Sequence, residues 1–184
     1  IRRQRQMCIR DREDYKVFEM FDKQWALVTA GGMDHFNSCT IGWGSLGNIW
    51  AADRKTISTV TVYVHPARYT SEFLKESDTF TVSFYPDQYR KALGYMGSHS
   101  GRDGDKVAAA GLTPVAIGDG VTYEEANLTF LCKKLYQHQF AKEDLAPEIQ
   151  EYYAFMPKVY PDFKGGWQPH IVFVGQILGV EDKR

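Results

Sequence analysis

The residues with chemistry to offer fall in two short stretches. The first is DHFNSCTIGWGSLG (34–47), where strand-like alternation carries Asn37, Ser38 and Thr40 into a glycine-punctuated turn of Ile41, Gly42 and Trp43. Small hydroxyl and amide side chains, followed by glycines that let backbone come close, make a ledge for a flat ligand with a polar edge. The bland alternative is a half-exposed strand ending at a core tryptophan. The second stretch is VYVHPARYT (62–70), where alternating valines end at Pro66, and Arg68, Tyr69 and Thr70 open a short helical pattern. Arg68 supplies planar charge-assisted donors, Thr70 a hydroxyl, and the helix start its backbone N–H groups, which together would cup a phosphate. Spacing alone leaves open that Arg68 is a surface cation and Thr70 only a helix cap. Ledge and cup together suggest a flat, phosphorylated ligand held at both ends.

A third element, GSHSGRDGDK (97–106), combines glycines that permit a tight path with Ser98, Ser100, Arg102 and Lys106, which can donate to anions. It lacks the companion signals of a nucleotide-binding glycine loop, so an ordinary loop is the alternative. His99 and Cys39 invite general-base and redox readings. Neither has an orienting partner in the sequence, and both read as structural. His35, His138 and His170 are too scattered to propose a metal site. Tyr136, Lys164 and Trp167 are candidates for a substrate side.

These stretches need elements to hold them. WALVTA (25–30) reads as a buried strand ending at Gly31 and Gly32, the ledge as a strand over 37–43, and the turn-rich 44–58 as a loop or hairpin. Further strands are expected over 59–64, 79–84, 121–123, 126–139 and 170–180. Short helices are expected over 71–76, 88–96, 105–110 and 143–155, with Thr70 as the N-cap of the first. Both faces of the last strand are apolar, which implies a second sheet or another subunit covering it. Strands dominate and helices decorate, so the class is mainly β, an antiparallel barrel rather than a doubly wound sheet.

Composition sets outer limits. A chain of 184 residues suits one domain with a substantial core, here 15–184, after a basic arm over 1–14 that holds five arginines in its first twelve residues. A net charge of −1 argues against a general nucleic-acid binder. Cys8, Cys39 and Cys132 show neither a disulfide framework nor metal-ligand spacing, no apolar run reaches membrane-spanning length, and the start lacks a secretory signal. A soluble cytoplasmic protein is the expectation.

The order and spacing of WALVTAGGMDHFNSCTIGWGSLGNIW (25–50), VTVYVHPARYT (60–70) and DTFTVSFYPDQYRKALGYMGSHSGRDGDKVAAAGLTP (78–114) resemble the flavin reductase-like, FMN-binding split-barrel family, near its flavoredoxin-type members. The resemblance implies a split β-barrel of Greek-key type with a few short α-helices, FMN as cofactor, and a homodimer with flavin at or near the subunit interface. It implies hydride transfer from NADH or NADPH to flavin N5, with electrons leaving to a flavin, a protein or a small acceptor. Because the cofactor carries that chemistry, no catalytic side chain is expected. By resemblance, Arg68, Tyr69 and Thr70 meet the FMN phosphate. Asn37, Ser38 and Thr40, with Ile41, Gly42 and Trp43, meet the ring or ribityl chain, and Ser98, Ser100, Arg102 and Lys106 add flavin contacts. His65 stands where the family pattern often has an arginine, which puts an extra phosphate contact there in question. A non-enzymatic electron carrier or flavin store would need the same residues, and a related split barrel could take pyridoxine phosphate or haem instead.

Overall fold

The computed structural model describes residues 17–154, 163 and 167–184. The basic arm, Cys8, Tyr15, Phe155 and Lys164 lie outside them. The chain forms a seven-stranded antiparallel sheet in the order β2-β1-β5-β8-β9-β4-β3, built from β1 (Ala26–Gly32), β2 (His35–Ile41), β3 (Gly44–Ala52), β4 (Lys55–Val64), β5 (Thr79–Phe84), β8 (Leu128–Gln139) and β9 (Ile171–Asp182). A separate hairpin pairs β6 (Pro114–Ile117) with β7 (Gly120–Tyr123). The sheet curls until β2, at one edge, meets β4 near the other. This is the barrel that the alternating patterns implied.

Burial explains the curl. Alternate residues of the strands, among them Val28, Ile41, Val62, Val82, Phe130 and Phe173, point to one interior and are essentially water-free there. Such burial is worth about 1.5–3 kcal/mol for each large apolar side chain. Phe73 and Leu74 of α2 (Thr70–Glu76) and Phe21, from a π-turn following α1 (Val17–Glu19), plug the same core. A second cluster lies on the other side of β1, where Leu27 packs with Leu93 and Met96 of α3 (Arg90–Ser98) and with Tyr123 of β7. The remaining α-helices of the described residues are α4 (Lys106–Ala109), capped by the Asp105 carboxylate, and α5 (Pro147–Ala154).

Several expectations need correction. The described residues hold nine strands rather than about seven, because β6 was unread and 44–58, read as a loop or hairpin, is β3, a tight turn and the start of β4. That turn places Asp53 and Arg54 at φ 51° and 62°, the mirror-image conformation that suits a two-residue hairpin. No glycine marks this turn, and the hairpin is the second of the two readings that the turn-rich 44–58 offered. The ledge strand stops at Ile41, leaving Trp43 between strands. Thr70 is the first residue of α2 rather than its cap, and no side chain caps that helix. On β9, Ile171 and Phe173 are buried, but Leu178 is 53% exposed, so one face of its far end is open in the single chain.

Candidate functional site

Where β2 leaves the barrel and β4 ends, the walls part around a cavity of about 270 Å³. Thr40, Ile41, Gly42 and Trp43 form one side of it. Tyr63, Val64, His65 and Arg68, from the end of β4 and the turn beyond, form a second. Tyr152 and Tyr153 of α5, with His170 just before β9, close a third. Cys39 lies on the floor. The sequence placed ledge and cup about twenty residues apart. The β3–β4 hairpin places them against each other: Gly44 pairs with Val62, and the Tyr63 amide donating to the Trp43 carbonyl (3.4 Å) extends that ladder to the cavity.

The turn carrying the cup is held internally. The Arg68 amide donates to the His65 carbonyl (2.9 Å), the Ser71 amide to the Arg68 carbonyl (2.8 Å) and the Glu72 amide to the Tyr69 carbonyl (3.0 Å). Among the described residues the amides of Tyr69 and Thr70 take no backbone partner. Arg68 reaches across to α3, where Nη1 donates to the Gly97 carbonyl at 2.5 Å.

Two buried polar atoms near the cavity's Cys39 lack a nitrogen or oxygen partner among the described residues: Asn37 Nδ2, two residues along β2, and Thr70 Oγ1, which has only the weak Cys39 thiol to bond; their residues are 5% and 1% exposed and do not themselves line the cavity. An unsatisfied buried polar atom costs about 1–3 kcal/mol, so a pair of poorly satisfied ones near a cavity asks for a ligand. Asn37 lies beneath the 97–106 loop, where a Cβ on Gly101 would sit 2.7 Å from its Oδ1. Similarly, a Cβ on Gly97 would stand 3.2 Å from Thr40 Cβ. The glycines are thus what let this loop lie on the ledge. Burial raises the Cys39 thiol pKa above its usual value, while the Thr70 hydroxyl, Arg68 and then Lys106 pull the other way. The thiol is neutral at pH 7.

Not every expected contact reaches the cavity. Ser38 points away, bonding Thr29 Oγ1 (2.7 Å) and Tyr123 OH (2.5 Å) in the second core. Thr40 lines the cavity while donating to the Leu93 carbonyl (2.5 Å). Ser98 Oγ turns back to the carbonyls of Gly94 and Tyr95 at 2.9 and 3.2 Å. Ser100 accepts from the Arg102 amide (3.2 Å). Arg102 pairs with Glu72 and covers the Tyr69 ring, 4.2 Å from its centroid. Lys106 is buried and donates to the carbonyls of Met96 (3.3 Å) and His99 (3.1 Å), tying down the end of α3. Burial lowers its pKa, with Arg68 adding to the effect and Cys39 opposing it.

Sequence reasoning named Trp43 and Trp167 but missed the rest of the aromatic wall: Tyr63, Tyr152, Tyr153 and the two histidines. The Trp43 and His170 rings stand 4.6 Å apart, and His65 meets His170 edge-on at 5.2 Å. Burial foremost pushes both imidazole pKa values down to about 4, so both rings are neutral at pH 7. Tyr153 stacks on Trp167 at 4.4 Å. Only the strand registers and the return of α5 over the barrel bring these rings together, and no local spacing announces it. Tyr136 lies away from this wall, beside Trp50.

Known structures share the architecture. The chain superposes on an FMN-binding protein from Thermus thermophilus with bound 1-cyclohex-2-enone at TM-score 0.62 and 23% identity, over 86% of this chain and 70% of that one. Flavoredoxin from Methanosarcina acetivorans gives TM-score 0.61 at 20% identity, over 86% and 68%. An NADH:FAD oxidoreductase from Streptomyces globisporus gives 0.59 at 14%, over 86% and 75%. Likenesses at this identity establish a shared split-barrel fold. No curated protein matches the sequence. The family described as flavin reductase like domain matches residues 19–184, nearly the whole of the described chain, and the protein belongs to that family.

Proposed function

We propose that the cavity holds FMN and that the protein is a flavin reductase-like oxidoreductase, fed by NAD(P)H and passing electrons to a flavin, a protein or a small acceptor. The observation that carries this reading is a cavity lined by Arg68 and the 40–43 ledge, beside whose Cys39 Asn37 Nδ2 has no partner and Thr70 Oγ1 has only a weak thiol. The donor set fits the group. Arg68, Thr70 and the Tyr69 and Thr70 amides would meet a phosphate. Asn37 and the Ile41–Trp43 ledge would meet the polar edge of a flat ring, and Trp43, Tyr63 and Tyr152 would cover its apolar faces.

Bound FMN supplies the chemistry, accepting a hydride from the nicotinamide and handing the electrons on. This chain's residues bind, orient and exclude water. The thiol of Cys39 and both neutral histidines place no full charge against the ring, and Arg68 is the one fixed cation on the described wall. A homodimer is part of the proposal, supported by the exposed Trp50, Tyr136, Phe140 and Leu178. The buried thiols of Cys39 and Cys132 suit a cytoplasmic setting. Among the described residues no helix is long and apolar enough to cross a membrane.

Anaerobic titration of FMN-loaded protein with NADH and then NADPH tests the reading. Rapid bleaching of the flavin band by one of them is expected and names the donor. A bound flavin that neither nucleotide bleaches would make the protein a carrier or store instead.

A further inference from the structure

The turn that carries Arg68 is held by a histidine side chain as well as by backbone. The Ala67 amide donates to His65 Nδ1 at 3.1 Å, and one residue on the Arg68 amide donates to the His65 carbonyl at 2.9 Å. Pro66 brings no N–H of its own, and its carbonyl accepts from Ser71 Oγ at 3.1 Å. One buried residue, 1% exposed, therefore ties down both amides that precede the guanidinium.

We propose that His65 is the positioning residue for Arg68: by accepting the Ala67 amide at Nδ1 it fixes the turn that aims the guanidinium into the cavity. The inference rests on the FMN reading for its consequence, but not for the contact itself.

The chemistry is specific to a neutral imidazole. An amide N–H can only donate, so Nδ1 must carry a lone pair and the ring proton sits on Nε2. Arginine or lysine at this position would have no acceptor to offer. Burial and the neighbouring Arg68 keep the imidazole neutral, while a hydrogen bond with the Gln168 backbone pulls the other way. The groups facing it are Arg68 on its own turn and His170 at the start of β9, both of which disfavour a second positive charge, together with the uncharged ring of Phe163. With the turn set by His65 and the tip of Arg68 held by the Gly97 carbonyl, the side chain is fixed at root and tip.

Two variants separate the contact from mere bulk. In His65→Asn the amide oxygen can stand where Nδ1 stood. In His65→Gln the longer side chain carries its polar end toward the Nε2 position. Both lose the ring. Hydrogen exchange at the Ala67 amide, followed at neutral pH without flavin, is expected to be slow in the wild type and in His65→Asn, and fast in His65→Gln. FMN affinity, read by flavin fluorescence quenching, is expected to stay within about twofold in His65→Asn and to weaken roughly tenfold in His65→Gln, the size of one lost hydrogen bond. Riboflavin, lacking the phosphate, is expected to bind all three alike. A fast-exchanging Ala67 amide in the wild type, or equal losses of FMN affinity in the two variants, would overturn the positioning role. If the wild type takes up no FMN while Ala67 is protected as described, the functional reading fails and the positioning of Arg68 stands.

Discussion

Two buried polar regions lie on the β2 ledge, and they differ in how completely they are satisfied. In the second core the serine and threonine hydroxyls answer one another and Tyr123 joins them, with Tyr85 OH the exception that has no close partner among the described residues. Thr29, Ser38 and Tyr123 form one chain, Ser83, Thr122 and Thr129 form another, and Thr81 donates to the Val121 carbonyl (2.5 Å). Toward the cavity, one residue along the strand, Asn37 leaves its amide nitrogen unpaired, and Thr70 has only the Cys39 thiol for its hydroxyl. Folding can absorb a buried polar group only when it finds a partner. A closed network therefore reads as architecture, and the open one reads as a place kept for something else.

The comparison can be broken in order of expected effect. Arg68→Ala should weaken FMN binding most, by roughly tenfold to a hundredfold, since a charge-assisted contact is worth about 1.5–3 kcal/mol. Equilibrium fluorescence titration reads it, and an unchanged affinity would remove the phosphate cup. Ser38→Ala should act on the other region, leaving Thr29 and Tyr123 short of a partner and costing about 1–3 kcal/mol in urea unfolding with FMN affinity unmoved. A loss of flavin affinity with stability intact would reverse the two assignments.

Acid distinguishes the regions as well. His65 and His170 titrate near 4 in the folded protein against 6.5 ordinarily. Between those values the unfolded chain holds protons that the folded one lacks, so stability rises with pH across the window and falls as pH drops toward 4. Urea midpoints taken down that window should decline for the wild type and decline less for His65→Asn combined with His170→Asn. Parallel declines would show that these rings are not buried neutral.

The smallest effect carries an unusual sign. Thr70→Val removes a buried hydroxyl whose one partner is the weak Cys39 thiol and keeps the shape, so the flavin-free protein should gain up to about 1 kcal/mol while FMN affinity drops several-fold. Ser38→Ala loses stability and keeps affinity. Thr70→Val should do the opposite, and stability losses in both would show that the contact between the Thr70 hydroxyl and the Cys39 thiol is structural.

The parts of the site that were legible in sequence are those that local chain chemistry determines. β4 ends just before Pro66, a short helix follows, and Arg68 falls between them with Thr70 opening the helix, whatever the rest of the molecule does. Gly42 likewise marks where β2 must release the chain. The alternation of β2 also held a warning about Ser38, since Asn37 and Cys39 on either side of it face the opposite way. What stayed hidden depends on long-range register. Tyr63, Tyr152 and His170 share a wall only because β4 pairs with β9 and α5 returns over the barrel. The polar 97–106 stretch is hard to read for another reason. Its Ser98 and Lys106 side chains spend their donors on nearby carbonyls, an outcome that composition cannot distinguish from reaching for an anion.

A crystal structure of the protein grown with FMN tests the central claim most directly. The account predicts the phosphate beside Arg68 and Thr70, a polar group of the flavin meeting Asn37 Nδ2, and the ring against Ile41, Gly42 and Trp43. Flavin bound elsewhere, with Asn37 and Thr70 untouched by it, would contradict it.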